Sequence, residues 1–153
     1  MRYAACMGTA AVALLCWCHS LAADDRGRFP VDVKEISDGD TILATVRLPW
    51  RVSLGPEAIR AADYDAWEIS RARRTVEVTD DEIAAGKKAR EFLTSLVAGG
   101  ELHIIPQAGG KRDVYGRLLG ELWLRKRGGE WVSVADEMKR GGHVRRSTAN
   151  GNQ

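Results

Sequence analysis

The sequence predicts an α+β fold in which β structure dominates: a five-stranded barrel of the OB type with two or three helices. Three observations carry this expectation. Short runs rich in β-branched residues recur along the chain. The early runs follow one another through tight turn signals, which favours antiparallel pairing. One long amphipathic helical pattern separates the first three runs from the last two. With 153 residues the chain has room for one ordinary domain. Its net charge of +2 is nearly balanced, so charge alone does not announce a nucleic-acid binder.

The elements follow in order. Residues 1–22 read as a secretory signal peptide. Arg2 supplies the positive start, Ala10 to Trp17 is apolar but too short to span a bilayer, and Ser20-Leu21-Ala22 offers small residues where a signal peptidase reads. An uncleaved anchor helix and a lipoprotein cysteine are the alternatives. The expected location is therefore secreted or periplasmic, with no membrane association after cleavage. All 3 cysteines (Cys6, Cys16, Cys18) fall in this segment, so the mature chain would rely on its core without disulfides. Residues 23–30 form a polar lead-in, 31–146 the folded domain, and 147–153 a frayed tail.

Val31, Val33 and Ile36 begin an extended run, and Thr41 to Leu48 reads as a strand. Asp38-Gly39 between them is a hairpin signal, explained by a glycine that accepts positive φ. Pro49 to Pro56, bounded by prolines, reads as a loop or an added hairpin, and Ile59 to Ala62 as a strand ending at Asp63. Asp80 to Val97 is the clearest helix. Thr79 and Glu82 have capping-box spacing, the apolar residues lie mostly on one face, and Gly99-Gly100 stops it. Glu101 to Pro106 and Arg117 to Leu124 read as two more strands. A turn at Gly128-Gly129 leads to a short strand end and a last helix.

Three stretches hold the candidate chemistry. Asp40 follows the Asp-Gly turn at the start of a strand, where aspartate is a poor strand former. Arg60 lies in the third strand, with Asp65 and Glu68 just beyond. Three carboxylates brought together would repel, and a hard divalent ion such as calcium would remove that cost. Lys111 to Arg117 ends in Tyr115-Gly116-Arg117, where a planar, always charged guanidinium suits phosphate. Each stretch alone is equally well a turn, a polar loop or a hairpin tip.

Together, in this order and spacing, they resemble the staphylococcal nuclease (thermonuclease) family. That family has an Asp-Gly-Asp-Thr turn, an Arg followed by Asp-x-Pro-Glu, and a Tyr-Gly-Arg. Here these are Asp38-Gly39-Asp40-Thr41, Arg60 with Asp65-Ala66-Trp67-Glu68, and Tyr115-Gly116-Arg117. The resemblance runs from Val31 to Val144. It implies a calcium-dependent phosphodiester hydrolase, an endonuclease acting on DNA or RNA, binding one calcium ion and working as a monomer. By the same resemblance Asp40, Asp65 and the Ala66 carbonyl are the metal ligands. Glu68 handles the attacking water, Arg60 and Arg117 grip the phosphate, and Tyr115 lies near the nucleotide. Asp38 joins the carboxylate cluster without being a ligand.

The chain departs from the pattern at Trp67, where the family has proline. The ring either packs against the barrel, the favoured reading, or offers a base a stacking surface. Arg71, Arg73 and Arg74, and likewise Lys111 and Arg112, are solvated loop charges or phosphate contacts. His103 is expected to be half-exposed, and neither it nor His143 is assigned to metal or catalysis. Trp123 and Trp131 are expected to pack. The rival reading is a non-catalytic nucleic-acid- or protein-binding module on the same barrel.

Overall fold

The computed structural model describes residues 26–67, 69 and 78–145. The expected signal peptide, the tail, Glu68 and the arginine run 71–74 lie outside the described residues. Strands β1 (Phe29–Ile36), β2 (Thr41–Arg47) and β3 (Ser53–Ala61) form an antiparallel meander. Helix α1 (Asp80–Ala98) leads to β4 (Gly100–Pro106), which pairs antiparallel with β1 and with β5 (Leu118–Lys126). β5 then runs parallel to β3, with Ile59 opposite Leu118 and Ala61 opposite Gly120. That pairing closes five strands into a mixed barrel, as the order of strands and helix predicts. A sixth strand, β6 (Trp131–Ser133), pairs with β5 outside the barrel, and α2 (Val134–Arg140) follows it.

Alternation along β2 shows how the barrel is filled. Ile42, Ala44 and Val46 point into the core, while Leu43, Thr45 and Arg47 are half-buried on the outer face. Ile59, Ile104 and Leu122 complete the interior, and Leu93 of α1 and Met138 of α2 plug it. Each such side chain contributes about 1.5–3 kcal/mol on burial. Helix α1 starts where the capping box requires. Thr79 Oγ1 accepts from the Glu82 N–H at 3.2 Å, and the Glu82 carboxylate accepts from the Thr79 N–H at 3.0 Å. Asp80, Asp81 and Glu82 complement the positive end of the helix.

Three expectations need correction. β1 begins at Phe29, so the lead-in ends at Arg28, which is itself buried between the rings of Trp123 and Trp131. β3 begins at Ser53 instead of Ile59, which makes the proline-bounded stretch the hairpin of its two readings: Leu48 N–H donates to Val52 O at 2.8 Å and Val52 N–H to Pro49 O at 3.3 Å. β6 supplies the short strand end expected between the Gly128-Gly129 turn and the last helix, as an extra strand beside the five of the barrel. His103 is only 6% exposed, because the T-shaped ring of Trp131, 4.7 Å away, covers the outer face of β4. Trp123 and Trp131 pack, as expected, and do so as a clamp on Arg28.

Candidate functional site

The site grows from the β1–β2 turn. The N–H groups of Ser37 and Asp38 both donate to Thr41 O, at 2.9 and 3.1 Å. Gly39 does not have a positive φ, contrary to expectation. It is glycine for a different reason: a Cβ there would lie 2.7 Å from the Cβ atoms of both Ala66 and Ala89. The turn is pressed against α1 and against the loop after β3. Tyr64, on that loop, donates its hydroxyl to Gly39 O at 2.9 Å.

This packing delivers Asp40 to a buried position, 4% exposed, with both carboxylate oxygens engaged. Oδ1 accepts from Thr41 Oγ1 at 2.8 Å and from Arg60 Nη1 at 3.1 Å. Oδ2 accepts from the Ala66 N–H at 3.0 Å. Arg60 comes to Asp40 because β2 and β3 pair Thr41 with Arg60. Its other nitrogen, Nη2, donates to Asp65, so one guanidinium bridges two carboxylates.

Arg117 arrives from the loop before β5. Asp113 Oδ2 takes its Nε and Nη2, each at 2.7 Å, while Nη1 reaches Thr41 Oγ1 at 3.3 Å. The parallel β3–β5 pairing makes this possible, since it sets that loop beside the end of β3. A continuous polar chain therefore runs Asp113–Arg117–Thr41–Asp40–Arg60–Asp65. Tyr115 stands at the rim, 81% exposed, with the Arg117 guanidinium 5.4 Å from its ring centre. Trp67 is half-buried, and the guanidinium of Arg145 lies 5.6 Å from its ring.

The structure thus brings together Asp40, Arg60, Asp65, Ala66 and Arg117, with Tyr115 beside them. Sequence reasoning missed two participants. Asp113 orients Arg117 from four residues upstream, a spacing visible in the acidic residue inside an otherwise basic loop. Tyr64 holds the turn and carried no sequence signal. Arg112, read as a solvated loop charge or a phosphate contact, is ion-paired to Glu57 at 2.6 Å, and His143 stacks on Phe92 at 4.4 Å.

Electrostatics follow from these contacts. Partial desolvation acts to raise the Asp113 carboxyl. Hydrogen bonds from the Arg117 side chain and from the N–H groups of Arg117 and Tyr115 outweigh it, and the group sits below the ordinary carboxylate range. Burial, reinforced by the charges of Asp40 and Asp63, pushes the Tyr64 hydroxyl up, so it stays a neutral donor. Burial also raises the Asp63 carboxyl, whose Oδ1 has no hydrogen-bond partner among the described residues. Asp63 borders a cavity of about 460 Å³ that opens beside the site between Arg60, Asp65, Gln107, Lys139 and Arg145.

Among the described residues, no group of three or more His, Cys, Asp or Glu side chains is arranged to hold a metal ion. Asp40 and Asp65 supply two hard carboxylate donors, and Ala66 adjoins them through its bond to Asp40. That chemistry suits calcium, which takes carboxylate, carbonyl and water oxygens. Arg60 now neutralises both carboxylates, so a cation there would compete with its contacts. No protein-family model matches the sequence, and no curated protein matches it.

Proposed function

We propose that this chain is a calcium-dependent nuclease that hydrolyses phosphodiester bonds of DNA or RNA. The observation that carries the reading is the meeting of Arg60 and Arg117 on the Asp40–Thr41 pair. Thr41 and Arg117 lie 76 positions apart in the chain, yet their side chains touch. Two planar cations beside a pair of carboxylates match a phosphate that must be gripped while water attacks it.

Asp40 and Asp65, with the Ala66 carbonyl, would hold the ion. Calcium supplies neutralisation of the phosphate and order for the attacking water. Arg60 and Arg117 would bind the non-bridging oxygens and act on the charge that grows there in the transition state. Asp113 fixes the fork of Arg117 through Nε and Nη2 and leaves Nη1 on the Thr41 hydroxyl, beside Asp40. Glu68 would take the proton from the water, a role worth roughly a hundred- to ten-thousand-fold.

The test is cleavage of single- and double-stranded DNA and RNA in calcium and in chelator, with Arg117→Ala alongside. The reading expects cutting that chelation abolishes and that the variant loses by about a hundred- to a thousand-fold. Cutting unchanged by both would overturn it. A second reading, a binding barrel without catalysis, is favoured by one observation: Arg60 already neutralises Asp40 and Asp65. Nucleic-acid binding without any cutting would select it.

A further inference from the structure

The hairpin joining β2 to β3 carries the most exposed aromatic side chain of the described barrel. Trp50 is 91% exposed, with Val52 at 53% and Leu54 at 37% beside it. Arg51 is also exposed and forms no ion pair with another described residue. Residues 48–56 contain no acidic side chain. Trp50 and Arg51 both have positive φ, 57° and 62°. Two successive left-handed residues are the mark of a type I′ hairpin turn, a position that favours Asn-Gly. A bulky aromatic there costs on the order of 1–2 kcal/mol relative to glycine. The turn therefore retains a strained Trp-Arg pair on the exposed surface, where neither side chain serves the core.

We propose that this hairpin tip is a stacking platform for a nucleotide base, an outlying contact for a single strand that passes through the site. The inference rests on the nuclease reading and extends it. Continuity carries it. Thr41 pairs with Arg60 at one end of the β2–β3 ladder, and Arg47 pairs with Ser53 at the other. The same outer face, with Leu43 and Thr45, connects the two ends. Strands 2 and 3 are the face on which barrels of this type receive oligonucleotides. Seven steps of β3, from Arg60 back to Ser53, span roughly 20–25 Å at about 3.3 Å per residue. A strand of several nucleotides bridges that gap, within the roughly 4–16 nucleotides that such barrels occupy. Trp50 offers the π-face and Arg51 the phosphate contact.

The test compares binding of thymidine oligomers about three and about sixteen nucleotides long, in chelator so that neither is cut. Trp50→Ala should weaken the long oligomer roughly 5- to 100-fold and leave the short one unchanged. Trp50→Phe should stay near wild type. The double variant Trp50→Asn with Arg51→Gly should melt higher, because the turn is relaxed, and still lose affinity for the long oligomer. Equal affinity of wild type and Trp50→Ala for the long oligomer would overturn the proposal. So would loss in Trp50→Ala of binding to anionic phospholipid vesicles with oligomer affinity intact, which would make the tip a membrane contact. Failure of the nuclease reading registers separately, as absence of cutting by wild type in calcium while the length-dependent binding persists.

Discussion

Asp40→Asn separates the structural role of this side chain from its shape, since only one oxygen becomes an amide. The carboxylate is 4% exposed and accepts from Thr41, Arg60 and Ala66. Whichever way the new amide turns, its NH2 meets a donor. If it faces Ala66, that N–H is left unpaired, at about 1–3 kcal/mol. The charge-assisted bond from Arg60 weakens as well, a contact of about 1.5–3 kcal/mol. Arg60 keeps Asp65 and 23% of its side-chain surface in solvent, so the lower part of the summed range applies, about 2.5–3.5 kcal/mol. At roughly 3–5 °C per kcal/mol for a domain of this size, Tm falls by roughly 8–18 °C. The assay is thermal unfolding followed by circular dichroism, with urea titration to check that the slope is unchanged. Asp65→Asn is the control. Its carboxylate is 58% exposed, so the loss should stay under about 1 kcal/mol. Asp40→Asn melting within about 2 °C of wild type, or no more affected than Asp65→Asn, would refute the buried geometry from which the site is built.

Gly39→Ala drives a methyl group into Ala66 and Ala89 and should cost about 1–3 kcal/mol in urea unfolding; a neutral result would mean the turn does not rest on α1. Asp63→Asn should stabilise the protein at neutral pH by under about 1 kcal/mol, because burial penalises the charged carboxyl. The raised folded value sets the sign: the penalty is absent below the unfolded value of about 3.9, sets in as pH rises toward the folded value, and is complete above it. The melting advantage of the variant should therefore vanish toward pH 4. Asp113 has the opposite sign. Its lowered folded value means its contribution is whole above about pH 4 and fades as pH falls through the folded value. The melting deficit of Asp113→Asn should close in that acid range and stay constant above it.

Much of the barrel was readable because its signals are local. Thr79 and Glu82 form a capping box through neighbours only three residues apart, and β2 alternates by a rule that needs no partner. The same holds for the order of three strands, helix and two strands, which closes in only a few ways. What could not be read depended on distant contacts. Nothing near His103 in sequence reveals that Trp131 will cover it. Gly39 was assigned to turn conformation because Asp-Gly is a hairpin signal, whereas its reason lies in Ala89 on a helix fifty residues later. The strand start at Ser53 was hidden because Trp-Arg is an improbable pair for the turn it makes. At the site, the spacing of Arg60, Asp65 and Arg117 was legible, but Asp113 and Tyr64, which hold the others in place, emerge only when the barrel is closed.

The loop bearing Asp65 and Ala66 is fastened by the last described residues: Ala66 bridges to Val144, and the Arg145 N–H donates to Asp65 O at 2.7 Å. A ribosome making this chain therefore releases every described member of the site well before the clasp that steadies them. Asp40, Arg60, Asp65 and Arg117 are all synthesised while the clasp is still missing. A truncation after Gly142 would keep every one of these side chains and the strand pairings that align Asp40, Arg60 and Arg117, but would release the loop of Asp65 and Ala66, so residues 144 and 145 act as the timer for that loop.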